Sequence, residues 1–416
     1  MEVVYKSCCG MDIHKDIVVA CCVADGVGRE VRSFGTMTDD LLELCGWLKG
    51  RGVEMVAMES TASYWKPIFN MLEVEGVPCM LVNARHVKNV PGRKTDVKDS
   101  EWIADLLRHG LLKASFVQRR EDRETKELVR YKEKLVEERA REYNRMDKVL
   151  QGANIKLSSV ASRMNTESAM DMCRAIARGE ATPEALAALA RGTMKGKAEE
   201  LKRALKGLIQ PHQRMMLTSM LDHIDYLDGQ ISALGEEIDL RMAGHEELVA
   251  ALDAIPGVGR DSAQAFIAEA GTDMSVFPTA GHFLSWSGTT PENNESAGKK
   301  GKAKARKGNS QLKKRAVQCA VAAAKRKNTY LGSMYKRIAA RRGAKVARVA
   351  VARTILEIYY YMVRDGTSYK DLGEDHFVKQ NRDGIMRRSR KRIEALGFKV
   401  TVEDPGSPEA PAGPTL

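Results

Sequence analysis

Between residues 3 and 36 the apolar side chains come in three short β-rich runs, VVYKSCCGMDI, DIVVACCVAD and REVRSFGT, with a glycine turn at 26–28 between the last two. Runs this short, parted by turn signals, predict a three-stranded antiparallel meander. The period then changes. Helical patterns over 39–49 and 63–75 alternate with apolar strand patterns over 53–59 and 77–83, and a helix from about 99 to 109 closes the unit. A meander followed by alternating helix and strand implies an α/β layout with a mixed sheet.

That element order is the order of an RNase H-like fold. From 119 to 150 the chain becomes one long charged helix, with Val129, Val136, Tyr143 and Leu150 seven residues apart and Leu128, Leu135 and Val149 beside them. A stricter heptad follows, with Leu217, Ile224, Ile231 and Ile238 at a and Met220, Leu227 and Leu234 at d. Ile at a with Leu at d suits a parallel two-stranded coiled coil, although a hairpin of the two helices within one chain satisfies the same stripe. Between them, 151–210 reads as short helices broken by Gly and Pro. Residues 247–271 read as helix, IPGVG hairpin, helix, and the Pro-rich tail is expected to be disordered. The expected organisation is therefore an α/β domain over 1–115, a helical coiled-coil and insert region over 116–244, a mostly α-helical domain with a helix-hairpin-helix-like element over 245–402, and a tail over 403–416.

The 416 residues suffice for two or three domains, and 67 Lys and Arg against 55 Asp and Glu leave a net charge of +12. The excess is local. Residues 299–353 hold 19 Lys and Arg and no acid, which leaves 48 basic against 55 acidic side chains elsewhere. Solvated helix faces normally interleave acids as i,i+4 partners, so a stretch without any reads as a nucleic-acid-binding surface. No uncharged apolar run approaches the ~18 residues of a bilayer span, and Glu2, Lys6 and Asp12 interrupt any signal-peptide core, so a cytoplasmic protein with no membrane partner is expected. The eight cysteines, at 8, 9, 21, 22, 45, 79, 173 and 319, lack C-x-x-C spacing. They read as small core residues in a reducing compartment.

Four acids stand where such a sheet could use them. Asp12 lies on the first strand in GMDIHK, Glu59 ends a later strand in AMEST, and Asp96 and Asp99 open the closing helix in KTDVKDS. Strand ends and a helix start can meet at one sheet edge, and i,i+3 spacing puts Asp96 and Asp99 on one helix face. Carboxylates gathered there repel unless cations bind, and hard oxygen donors suit Mg²⁺ or Mn²⁺, the setting of two-metal phosphoryl transfer. In IPGVG, Gly257 and Gly259 permit a tight turn whose N–H groups can face a phosphate. A purely structural hairpin, with Asp261 capping the second helix and Gln264 as its box partner, is the alternative. Ser296 sits in a polar loop, SWSGTTPENNESAGKKGKAKARKGN, directly before Lys299, Lys300 and Lys302, with Arg306 and Lys307 beyond. A DNA phosphate held by those cations would bring its scissile bond near the hydroxyl.

The motif around Asp12, MEST at Glu59, the K-T-D-x-K-D run, IPGVG and NNESAGK…RKGN occur in the order seen in the DEDD transposases of the insertion-sequence 110 family, which the chain resembles over about 8–112 and 247–400. The resemblance implies a RuvC-like domain with Asp12, Glu59, Asp96 and Asp99 as Mg²⁺ ligands, and a C-terminal transposase domain with Ser296 as nucleophile. It further implies a noncoding bridge RNA pairing with donor and target DNA, and a homotetramer whose composite sites join two protomers. Ala297 follows Ser296 where many members have Gly, which keeps Ser285 and Ser287 as alternative nucleophiles. The competing functions are a RuvC-like junction nuclease using metal-activated water and a non-catalytic nucleic-acid-binding protein.

Overall fold

The computed structural model describes residues 2–26, 28–60, 62–83, 99–179, 182–291, 295–296, 299–300 and 305–401. They form two compact units, Met1–Arg123 and Glu124–Leu416.

The first unit is built on strands β1 (Ser7–Ile13), β2 (Val18–Ala24), β3 (Gly28–Phe34), β4 (Met55–Glu59) and β5 (Cys79–Val82), in the sheet order β3-β2-β1-β4-β5. The expected meander is β1 to β3, antiparallel throughout; β4 and β5 are added parallel to β1. Helices α1 (Thr38–Gly50), α2 (Trp65–Val74) and α3 (Asp99–Arg108) cover the sheet. Strand alternation sorts the side chains by face. Cys9, Met11, Ile13, Val56 and Met58 share a core with Leu44 and Leu48 of α1 and Ile68 and Leu72 of α2. Cys8, Ala57 and Val82 face the other way, onto Ile103, Leu106 and Leu107 of α3. Both faces are thus buried, which explains why β1 and β2 are nearly continuous apolar runs. All eight cysteines are free thiols and seven are buried, and burial pushes Cys8, Cys21, Cys79 and Cys173 up to about 12.

The second unit begins within a long helix, α4 (Arg120–Gly152). Four short helices follow: α5 (Leu157–Val160), α6 (Glu167–Arg178), α7 (Pro183–Ala188) and α8 (Ala198–Ala204). They surround Leu157, Met172, Cys173 and Leu201 and pack on Met146 and Leu150 of α4. The second long helix, α9 (Pro211–Arg241), returns along α4. Glu124 pairs with Arg241 at 3.2 Å, Arg139 with Asp228, and Glu142 with His223 at 3.1 Å. Rising numbers on one helix meet falling numbers on the other, so the pair is antiparallel and internal to the chain. Of the two arrangements the stripe allowed, a parallel coil between chains or a hairpin within one, the structure has the hairpin, and Leu217, Ile224 and Ile238 are at most 1% exposed within the chain itself. A heptad stripe specifies an apolar seam, and the short helical module joining α4 to α9 supplies the partner locally.

Beyond α9 come α10 (Glu246–Asp253), α11 (Arg260–Ala270), α12 (Ala280–Trp286), α13 (Ser310–Ala323), α14 (Tyr330–Arg342) and α15 (Ala344–Asp365), then α16 (His376–Gln380) and α17 (Arg382–Glu394). Strands β6 (Glu295–Ser296) and β7 (Lys299–Lys300) form a separate small hairpin between α12 and α13. Phe266, Phe283, Tyr359 and Tyr360 form the aromatic core. The two tyrosine hydroxyls donate to the carbonyls of Gly271 (2.6 Å) and Phe277 (3.0 Å), so neither is a buried orphan. Among the described residues no helix is long and apolar enough to cross a membrane. The tail expected to be disordered, 403–416, lies outside the described residues.

Candidate active site

In the first unit, Met11 of β1 stands opposite Met58 of β4 in the parallel register. Asp12 and Glu59 are the next residues on these adjacent strands. Because Met11 and Met58 point into the α1/α2 core, alternation turns Asp12 and Glu59 toward the face covered by α3. Gly10, two residues before Asp12, lies on that same face. A Cβ built on Gly10 would stand 2.3 Å from the Ala104 nitrogen and 2.4 Å from the Ser100 carbonyl oxygen. The missing side chain is what lets α3 lie directly on β1. The Val4 N–H donates to the Arg108 carbonyl at 2.8 Å, so α3 runs opposite to β1 and its first residue, Asp99, lies toward the Asp12 end. Asp12 is about a quarter exposed and has the His14 Nε2 at 3.2 Å.

Three of the four expected carboxylates thus share one edge of one sheet face. Asp96 lies outside the described residues, as do Lys302 and the Asp96 half of the predicted i,i+3 helix face. Among the described residues no three His, Cys, Asp or Glu side chains are grouped closely enough to hold a metal ion. The donor chemistry, all carboxylate oxygen with one imidazole beside it, is that of a hard divalent cation.

In the second unit, Ser296 pairs across the hairpin with Lys299, and Glu295 with Lys300. A bridge between Pro291 and Ala305 closes the loop at its base. The base is tight: a Cβ on Gly308 would lie 2.4 Å from the Gly288 nitrogen and the Trp286 carbonyl oxygen. Arg306 and Lys307 are exposed there, and the Arg306 guanidinium donates to the Ser285 hydroxyl at 3.0 Å. Ser287 is fully buried, and its hydroxyl is engaged by the Leu284 carbonyl and Thr289 Oγ1, both at 2.8 Å.

Residues not anticipated from sequence hold this loop. Asn309 caps α13, its Oδ1 accepting from Gln311 N (3.2 Å) and Leu312 N (3.1 Å), while its Nδ2 donates to Glu269 Oε2 at 2.7 Å. Glu269 is 3% exposed and is gripped by Arg130 of α4 through Nε (2.6 Å) and Nη2 (2.8 Å). That bidentate bond raises the Arg130 pKa further. The only sequence trace of this anchor is RKGN, whose Gly and Asn close the loop and begin α13.

The IPGVG hairpin joins α10 to α11. Gly257 has φ +90°, and a Cβ there would stand 2.4 Å from the Ala323 nitrogen and 2.5 Å from the Cys319 carbonyl oxygen of α13. Its bareness therefore serves packing within the chain. Gly259 is the N-cap of α11, so the alternative cap by Asp261 is not formed; Asp261 pairs with Lys132 at 2.9 Å, and Gln264 donates to Asp239 at 2.6 Å. Arg260 bridges Asp239 and Glu246, and it holds the Asp239 carboxyl below the ordinary aspartate range.

The basic stretch divides in the structure. Lys314 and Arg315 turn onto Glu137 and Glu133 of α4, acids far away in sequence. Lys325, Arg326 and Lys327 between α13 and α14, Arg341 and Arg342 at the end of α14, and Lys345 at the start of α15 are exposed.

The family model for the DEDD transposase domain of IS110 matches residues 9–155, and the one described as "Transposase IS116/IS110/IS902 family" matches residues 249–336. The chain belongs to the IS110 family of transposases. Among curated proteins none matches it. The two matched segments carry Asp12, Glu59, Asp99, the IPGVG hairpin and Ser296, and they leave the short-helix module, all of α9 and everything beyond residue 336 outside. As an IS110-family transposase the chain is a DNA-processing enzyme, and DNA is its partner.

Proposed function

We propose that this transposase moves an insertion element by cutting and rejoining DNA strands through a serine-phosphate intermediate, with Asp12, Glu59, Asp96 and Asp99 as the ligands of Mg²⁺ or Mn²⁺ and Ser296 as the nucleophile. The observation that carries the reading is the placement of Asp12 and Glu59 side by side at the ends of adjacent parallel strands, on the face where Gly10 admits the helix opened by Asp99. The sheet order β3-β2-β1-β4-β5, an antiparallel meander extended by two parallel strands, supports an RNase H-like assignment of this unit.

A divalent cation bound by the carboxylates would neutralise charge on the phosphoryl oxygens. The rest falls to the chain. The Ser296 oxygen forms a bond to phosphorus as the bond from phosphorus to the deoxyribose oxygen breaks, and the serine proton passes to that leaving oxygen by way of solvent. One phosphoester replaces another, so a second sugar hydroxyl can reverse the step and rejoin the strand. Lys299, opposite Ser296 in the hairpin, Lys300, opposite Glu295, and Arg306 at its base are assigned to the phosphate backbone. Lys307 and Lys302 belong to the same cationic run. Gly257 and Gly259 remain assigned to nucleic acid only through their backbone N–H groups, since the open side of Gly257 is filled by α13.

Guidance by an element-encoded noncoding RNA that pairs with donor and target DNA, and assembly into a tetramer, form part of this proposal and rest on the family resemblance. The exposed cations between α13 and α15 support a second polyanion, whereas the heptad stripe no longer argues for an intermolecular coil.

The test is covalent capture of DNA on denaturing gels with Mg²⁺ present. Ser296→Ala abolishes the adduct; Asp12→Asn and Glu59→Gln abolish it while leaving unfolding midpoints and DNA binding near wild type. An adduct that persists in Ser296→Ala refutes the nucleophile, and metal-dependent cleavage with no adduct in the wild type favours a nuclease using water.

A further inference from the structure

Helix α17 stands outside both matched segments and buries none of its residues. The segment before it is anchored. Phe377 stacks on Tyr330 with ring centroids 5.1 Å apart, and the Arg337 guanidinium lies 4.9 Å from the centre of the Phe377 ring. The Tyr330 N–H donates to Asp371 at 2.9 Å, and the Ser333 hydroxyl donates to the Glu374 carbonyl at 2.9 Å. These contacts fix the root of the arm on α14, within the acid-free basic stretch.

Residues 379–399 carry eight Lys and Arg against Asp383 and Glu394. Of the helix's cations, Arg390 meets Glu394 at 2.7 Å and Arg388 donates to its own Gly384 carbonyl at 2.9 Å. Arg387, Lys391 and Arg392 have no ion pair among the described residues. At ~100° per residue, Arg390, Arg387, Lys391, Arg388 and Arg392 spread over about 200° of the helix, an arc that also holds Asp383 and Glu394, and Ile385, Met386 and Ile393 share the opposite stripe of about 100° with Arg382. Arg387, Lys391 and Arg392 carry this charge on a helix that buries none of its residues, and a polyanion is the partner that neutralises it.

We infer that α17 is a docking arm for duplex DNA, laid into a major groove with its basic arc against the phosphates. A charged arc wider than half the helix needs phosphates on two sides, which the two walls of a B-form major groove provide and a single strand does not. That groove, ~12 Å wide, admits an α-helix, whereas the deep, narrow major groove of A-form RNA does not. Thirteen residues reach ~20 Å, enough to follow the groove over several base pairs. The inference rests on the family's DNA substrate and is independent of Ser296 and of the carboxylates.

The test compares the full-length protein with a variant carrying Arg387→Gln, Arg388→Gln, Lys391→Gln and Arg392→Gln, all exposed positions whose change leaves the circular dichroism spectrum intact. Binding is followed by fluorescence anisotropy against salt for a mixed-sequence DNA duplex and for the same duplex as RNA, and by co-sedimentation with phosphatidylserine vesicles. Each lost phosphate contact removes about 0.9 from the slope of log affinity against log salt, so the variant's slope on DNA is shallower by about 3 to 4, with little change on RNA. An unchanged DNA slope, a larger loss on the RNA duplex, or a loss confined to the vesicles overturns the assignment. Ser296→Ala, run alongside, removes the covalent adduct without altering the slope, so the arm and the nucleophile fail separately.

Discussion

Replacing Gly10 by alanine tests whether the close approach of α3 to β1 is what assembles the carboxylate edge. The added methyl would stand 2.3 Å from the Ala104 nitrogen and 2.4 Å from the Ser100 oxygen, both backbone atoms that cannot swing aside as a side chain does. Ordinary contact requires ~3.5 Å, so α3 must retreat by ~1 Å. Overpacking of this kind costs about 1–3 kcal/mol. Strand propensity acts the other way, since alanine in a strand interior is favoured over glycine by about 0.5–1 kcal/mol. The contact wins, for a net loss of about 1–2 kcal/mol in urea unfolding. The functional effect is larger, because Asp99 moves with α3 while Asp12 and Glu59 stay on the sheet, and a ~1 Å misplacement of reacting groups costs on the order of 10²-fold in rate. Gly10→Ala therefore shows a modest drop in unfolding midpoint and a ~10²-fold drop in Mg²⁺-dependent strand cleavage, where Asp12→Asn loses cleavage with its midpoint unchanged. Wild-type cleavage by Gly10→Ala refutes the reasoning, whatever its stability.

Glu269→Ala removes the buried acceptor shared by Arg130 and Asn309, and with Arg130 43% exposed the cost is about 2–3 kcal/mol, below that of a fully buried pair; Glu269→Gln, which can keep part of the hydrogen bonding, loses less, and an unchanged urea midpoint in the alanine variant dismisses the anchor. Ile224→Asp puts a charge into the α4/α9 seam and destabilises the second unit by about 3 kcal/mol or more, whereas Tyr226→Asp, at a position 62% exposed, does not; a change of oligomeric mass in Ile224→Asp without loss of stability points instead to a seam between chains. Asp239, lowered by Arg260, and Glu137, lowered by Lys314, bind fewer protons folded than unfolded, so their contribution is present above the ordinary carboxylate range and is lost as pH falls below roughly 4. Arg260→Gln flattens that part of the pH–stability curve, and an identical acid limb in the variant removes the pair from the account.

Much of the candidate site was legible along the chain because its parts are local. Asp12 in GMDIHK and Glu59 in AMEST mark strand ends by pattern alone, and Ser296 precedes a basic run visible as composition. The anchor of the serine loop was not legible: Arg130, Glu269 and Asn309 lie 139 and 40 residues apart in hydrogen-bonded contact, and nothing near any of them signals the other two. The same distance in sequence hid the fate of Lys314 and Arg315, which look unpaired beside their neighbours and meet Glu137 and Glu133 across the fold.

The sequence by itself determined the elements, since side-chain period and turn chemistry act over a few residues: the meander, the parallel additions, the two long helices and the IPGVG turn all stand where the pattern puts them. Only the tertiary structure decided what each exposed pattern meets. It turned the heptad stripe of α9 antiparallel onto α4, filled the open side of Gly257 with α13, buried the Ser287 hydroxyl, and set Gly10 against the backbone of α3. A local pattern specifies that an apolar stripe or a bare glycine needs a neighbour; which neighbour arrives depends on chain closure over tens to hundreds of residues, where packing and backbone hydrogen bonding are satisfied together.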